Sequence, residues 1–152
     1  MSLVYLAGPI DQVSIEAARG WRRSFTNHLM NPPGLATVFD PAAAFTVLDA
    51  NKSHDLSTVI AIDDFALSKA DVVVVLRKIG AASKGADREI SAALARKTPI
   101  VVYAVGYWVS EIRQWLLRLG ATDESLSLQV LHICSTLRSA VDATVETLDA
   151  LS

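Results

Sequence analysis

The feature that most restricts what this chain can fold into is the run Val72-Val73-Val74-Val75-Leu76, five apolar residues without polar alternation. Successive strand residues point to opposite faces, so such a run is buried on both sides, as in a parallel sheet covered by helices. Parallel strands need long crossovers, and the flanking sequence supplies them. An apolar run over residues 3–7 is stopped by Gly8-Pro9 and reads as a strand. Ile15, Ala18, Trp21, Phe25 and Leu29 then recur at three- and four-residue spacing, with Glu16, Arg19, Arg22 and Arg23 off that stripe. This predicts an amphipathic helix, broken by Asn31-Pro32-Pro33-Gly34. Residues 36–39 form a second strand ended by Asp40-Pro41, and 42–55 a loop or irregular helix. After them come a helix over 56–70, the buried strand over 72–76, a loop over 77–85, a helix over 86–97 and a strand over 99–103. Trp108, Ile112, Trp115 and Leu119 stripe another helix, 129–133 is a fifth strand, and Val141, Val145 and Leu148 stripe the last helix. Alternation of strand and helix predicts an open α/β sheet of five parallel strands with helices on both faces, one domain over residues 1–152. Ligands of such sheets sit beyond the carboxyl ends of the strands, here the loops after Ala7, Phe39, Leu76 and Tyr103.

Composition narrows the function classes. Hydrophobic residues are 51% of the chain and charged residues 20%, so it folds rather than staying disordered. The net charge is -2 with Lys and Arg scattered, which argues against duplex nucleic acid and for a small ligand. No segment reaches the roughly 20 apolar residues of a membrane span. Neither a basic n-region nor a signal-length apolar stretch opens the chain, and its lone cysteine, Cys134, suits a reducing compartment, so a cytoplasmic location is expected. His28, His54, His132 and Cys134 lack metal-ligand spacing, so no metal is expected. A nucleophile elbow and a dinucleotide fingerprint are both missing, so no cofactor is expected.

Two carboxylates stand out. Leu56, Val59, Ile60, Leu67 and Ala70 share one helical stripe with Asp63 in its middle, while Asp64 is turned by about 100° toward the polar side. A carboxyl on an apolar face is costly unless paired or used, and burial raises its pKa toward proton donation. The alternative is that Asp63 caps a neighbouring loop. Glu89 follows a buried strand and a loop, near the sheet's carboxyl edge. In a first helical turn the dipole would keep it charged, as a nucleophile requires, although many first-turn glutamates have no function. Ser83, Lys84 and Gly85 combine a hydroxyl, a cation and a flexible backbone before a helix, suited to a phosphate.

Taken together, Val4-Tyr5-Leu6-Ala7-Gly8-Pro9, Phe39-Asp40-Pro41, Asp63 before Ala70-Asp71-Val72-Val73, and Ser83-x-Gly85-x-x-x-Glu89-Ile90 resemble the nucleoside 2-deoxyribosyltransferase family. The resemblance covers about two-thirds of the chain and extends to the family's 2'-deoxynucleoside 5'-monophosphate N-glycosidases. It implies a flavodoxin-like fold and double displacement at an N-glycosidic bond, with transfer to another base or to water. Glu89 matches the family nucleophile, Asp63 the aspartate that protonates the leaving base, and Tyr5 the tyrosine that orients the nucleophile. Gly8, Pro9, Ser83, Lys84 and Gly85 fall at substrate-binding positions. Ser83 matches the monophosphate branch, whereas Pro9-Ile10-Asp11-Gln12 lacks that branch's glycine- and arginine-bearing turn, leaving nucleoside and 5'-monophosphate both open. A homo-oligomer is also implied, and the tryptophan-bearing helix is its candidate interface unless it packs inside the domain. A non-catalytic nucleotide-sensing module on the same fold is the competing expectation.

Overall fold

The computed structural model describes residues 2–9, 15–31, 34–42, 56–81 and 84–152. In chain order these form β1 (Leu3–Ala7), α1 (Ile15–Leu29), β2 (Thr37–Phe39), α2 (Leu56–Lys69), β3 (Val72–Lys78) and α3 (Lys84–Ala95). They are followed by β4 (Ile100–Val105), α4 (Val109–Arg118), α5 (Asp123–Leu128), β5 (Val130–Cys134) and α6 (Leu137–Leu151). The sheet order is β2-β1-β3-β4-β5 and every pairing is parallel, so the valine-rich strand lies at the centre, as its two-sided apolarity requires. This is the flavodoxin-like order.

The pleat divides each central strand between two cores. Tyr5, Ala7, Val73, Val75, Ile100 and Val102 face α2 to α5, where Leu67, Ile90, Ile112 and Leu116 cover them. Val4, Leu6, Val72, Val74 and Val101 face Phe25 and Leu29 of α1 and Ala140, Val141 and Leu148 of α6. Each fully buried valine or leucine contributes about 1.5–3 kcal/mol. The start of β1 is fixed by Asp71, whose carboxylate accepts from Leu3 N at 2.7 Å while its own N donates to Leu3 O at 2.8 Å. Part of the family-like Ala70-Asp71-Val72 segment is thereby a strand-pairing device.

Two expectations, on α5 and on Arg22, need correction, and the α4 stripe follows the in-domain alternative along its inner face. α5 has no counterpart in the predicted alternation; it is a single short helix opened by Thr122, whose hydroxyl accepts from Ser125 N. The stripe of α4 packs inside the molecule: Ile112 and Trp115 are buried and Leu119 lies against the same core, leaving Trp108 78% exposed at the N-cap. Val109 and Leu117 are exposed as well, so packing inside the domain accounts for the inner stripe of α4 alone. Arg22 is not on the solvent side of α1 but fully buried. Nothing is described for most of the expected loop over 42–55, nor for Ser83, which lies outside the described residues.

Candidate active site

Chain direction reverses across the sheet between β1 and β3, since β1 leads outward to β2 while β3 leads the other way to β4 and β5. The crevice at such a switch point is where ligands bind in open α/β sheets. Tyr5, Asp63 and Glu89 converge beside it from three elements.

Glu89 occupies a stripe position of α3 shared with Ala86, Ile90 and Ala93, so helical periodicity turns it inward; it is 6% exposed. Because α3 begins at Lys84, Glu89 lies in the second turn, and the helix dipole that acts within the first turn cannot be what governs its charge. Burial dominates instead and pushes its carboxyl up to about 7, with the nearby Asp63 charge adding to the rise. The nearby Tyr5 hydroxyl and the charges of Arg22 and Arg88 oppose it. Tyr5 projects from the centre of β1, stacked on Phe39 with ring centroids 5.5 Å apart. Its hydroxyl is held far above its ordinary value, first by burial and then by the charge of Glu89. Tyr5 Oη and Glu89 Oε2 are close enough to shift one another's proton affinity. Yet both are buried without a hydrogen bond of regular geometry to any described residue.

Asp63 is pushed up to about 6, mainly by burial, with Arg88 lowering it and Asp64 raising it. Its Oδ1 also has no partner among the described residues. Adjacent Asp64 points elsewhere, accepting from Arg88 Nη1 at 2.6 Å with both side chains nearly half exposed. The hundred-degree turn between neighbours on a helix thus separates an inward from an outward carboxylate. The loop-capping alternative for Asp63 has no hydrogen bond among the described residues to support it. The Asp64–Arg88 pair joins α2 to α3 and, at that exposure, stabilises by no more than about 1 kcal/mol. The first turn of α3 is held more firmly: Trp115 Nε1 donates to Asp87 Oδ1 at 3.0 Å, and Arg77, lying over the Trp115 and Tyr107 rings, approaches the same oxygen at 3.7 Å.

Arg22 is the residue that sequence reasoning missed. Its guanidinium donates to the carbonyls of Ala18 and Gly8, the latter at 3.1 Å, and its Nε lies 3.3 Å from Asp40 Oδ1. A signal was available: Ala18, Arg22, Phe25 and Leu29 follow the four-three-four spacing of a buried stripe. Gly8 is required by the same packing. A Cβ there would lie 3.1 Å from Trp21 Cζ2 and 3.4 Å from both Arg22 Nη2 and Leu76 Cβ.

Of the other expected substrate contacts, Pro9 borders a cleft of about 410 Å³ shared with Trp21, Leu76, Lys78 and Tyr103 at the carboxyl ends of β3 and β4. Lys84 is exposed at the start of α3 and Gly85 is half-buried behind it. A larger cleft of about 660 Å³, lined by Asn27, His28, Arg138 and Asp142, lies between the end of α1 and the first half of α6, and contains none of Tyr5, Asp63 and Glu89. Among the described residues no cluster of three or more His, Cys, Asp or Glu could hold a metal ion, and no helix is long and apolar enough to cross a membrane.

Fold and site together define a doubly wound α/β protein with a buried carboxyl, a half-buried one and a tyrosine beside its switch point. Among solved structures, the chain is similar to a conserved protein from Enterococcus faecalis V583, with a TM-score of 0.64 at 17% identity over 100% of this chain and 99% of that one. It is also similar to a 2-deoxyribosyltransferase from Bacillus psychrosaccharolyticus, with a TM-score of 0.48 at 15% identity over 82% and 96% of the two chains. No family model and no curated protein matches the sequence. At these identities it is the fold that the comparison with the Enterococcus protein establishes.

Proposed function

We propose that the protein is an enzyme that cleaves the N-glycosidic bond of a nucleoside or nucleoside 5'-monophosphate, using Glu89 as the nucleophile. The observation that carries this reading is the grouping of Tyr5 Oη, Asp63 Oδ1 and Glu89 Oε2, three buried polar atoms without hydrogen-bond partners among the described residues. Orphaned groups of this kind cost stability, and in a native protein they call for an explanation. A substrate supplies one. Glu89, pushed up to about 7, holds a proton more tightly than Asp63, pushed up to about 6, so the reactive form is the one in which the pair's proton sits on Asp63 and Glu89 is ionised. In the first displacement that ionised Glu89 oxygen attacks the anomeric carbon, the bond from that carbon to the base nitrogen breaks, and Asp63 gives its proton to the departing base. In the second, a base nitrogen or a water oxygen attacks the same carbon, Asp63 takes up the proton released, and the ester to Glu89 breaks. The inward carboxyls divide these roles as in retaining glycosidases. The Tyr5 hydroxyl, beside Glu89, is the donor that would hold it in line once substrate is bound.

No metal or cofactor enters this scheme. Lys84 and Gly85 at the start of α3, with Ser83 preceding them in sequence, would receive a 5'-phosphate, and Gly8 and Pro9 would supply further substrate contacts. The test is to incubate the protein with ribo- and deoxynucleosides and their 5'-monophosphates, with and without an acceptor base, and to measure free base. A 2-fluoro-2-deoxy substrate should leave a sugar-mass adduct on the peptide containing Glu89. Tight binding of a nucleotide without base release or adduct would instead favour a sensing module.

A further inference from the structure

Arg22 is a guanidinium with no exposed surface; burial lowers its proton affinity from the ordinary value, and the Asp40 carboxylate opposes that fall. Burying a guanidinium is expensive unless it is paired and its donors are used. Two donors reach the carbonyls of Ala18 and Gly8, and one carboxylate, Asp40, lies 3.3 Å from Nε. Ala18 belongs to α1, Gly8 follows β1 and Asp40 follows β2, so one side chain ties three segments together. Two of them, the Gly8-Pro9 turn and the Asp40-Pro41 turn, are loops at the sheet's carboxyl edge. Asp40 Oδ1 also accepts from Ala42 N at 2.9 Å, so that oxygen is shared rather than devoted to the arginine.

We propose that Arg22 is a positioning residue of the candidate active site, clamping the Gly8 and Asp40 turns and supplying the fixed positive charge against which Glu89 ionises. Its catalytic meaning rests on the nucleophilic role proposed for Glu89, but the electrostatic claim does not. Groups from every side face Glu89: Tyr5 from β1, Asp63 from α2, Arg22 from α1, and Arg88 from its own helix. Of the two cations, Arg88 is engaged at the surface by Asp64, where solvent weakens it. Arg22 is enclosed, and its charge is felt by Asp40, Glu89, Tyr5 and Asp63 alike. Lysine would keep the charge but not the fork of donors that spans Gly8 and Ala18.

The experiment reads the proton affinity of Glu89 directly, by carbon-detected NMR of protein labelled at glutamate carboxyls, with the Glu89 resonance assigned by its loss in Glu89→Gln. Arg22→Gln should raise the proton affinity of Glu89 more than tenfold, and Arg22→Lys should restore it to within about threefold of the wild type. The acid limb of base release should move with it. A merely structural arginine would lower the melting temperature and leave the titration in place, and that result overturns the proposal. Should Arg22→Gln not fold, Asp40→Asn carries the test with opposite sign. Removing the competing anion must lower the proton affinity of Glu89, and no change or a rise refutes the proposal. A wild type that releases no base while these titrations shift as stated would sink the glycosidic reading and leave the role of Arg22 standing.

Discussion

Replacing Glu89 by glutamine should stabilise the folded protein, and the gain should depend on pH in a way that identifies its cause. An unfolded glutamate loses its proton near 4.5, whereas burial holds the folded carboxyl to about 7. Between those values the folded state binds the extra proton, so wild-type stability falls as pH rises through the window and levels off above it. At about 1.4 kcal/mol per tenfold in proton affinity, the ionised folded form is disfavoured by about 3 kcal/mol. Glutamine carries no charge and escapes that cost. Urea unfolding of both proteins from pH 4.5 to 8 should show Glu89→Gln gaining on the wild type by about 3 kcal/mol across the range, most of it between pH 5 and 7. Asp63 titrates in the same window, so Asp63→Asn and the double variant are needed to apportion the effect. A difference independent of pH, or a variant that loses ground as pH rises, would refute the reasoning, since Glu89 would then carry its charge without strain.

Asp63→Asn should lower base release by orders of magnitude for poor leaving groups and far less for bases that depart easily, which a series of substrates would show. Ser83→Ala should reduce turnover of 5'-monophosphates by about 1–2 kcal/mol in kcat/KM and leave free nucleosides nearly untouched; equal losses would remove Ser83 from a phosphate site. Away from the site, the buried Gln129 amide donates to Ala93 O at 2.8 Å and Thr98 O at 2.7 Å. Thr98 N also serves Ala93 O, so Gln129→Leu orphans chiefly the Thr98 carbonyl and should cost about 2 kcal/mol by chemical denaturation.

The sheet was legible because its central run of five apolar residues, too short for a helix and mostly β-branched valine, suits a strand covered on both faces. Asp63 and Asp64 were separable for the same reason, since a helix of known pitch leaves neighbouring residues no common face. Arg22 was not legible, because charge is ordinarily read as exposure and the residue interrupts a stripe it actually belongs to. The second-turn position of Glu89 also escaped, since Lys84-Gly85 resembles a loop in composition yet forms the first helical residues. α5 is too short for periodicity to register. The sequence could not say which tryptophan of the 108–119 stripe would be covered, Trp115 inside or Trp108 outside, because that depends on the neighbour the helix meets, which its own sequence does not contain.

The reversal of winding between β1 and β3 makes the seam of the sheet and the floor of the site the same object. Tyr5 and Gly8 belong to the strand on one side, with Arg22 and Asp40 behind them, whereas Glu89 hangs from the helix that follows the strand on the other. A molecule held between Tyr5 and Glu89 therefore acts as a staple across the Tyr5–Val73 ladder, resisting any local opening that parts the two halves. At a hundredfold excess over its Kd, a ligand that binds only the closed seam adds about 2.7 kcal/mol to the cost of parting it. Occupancy of the site and mechanical integrity of the sheet would then be a single coordinate, and slowed amide exchange in β1 and β3 would report a bound ligand even where no reaction follows.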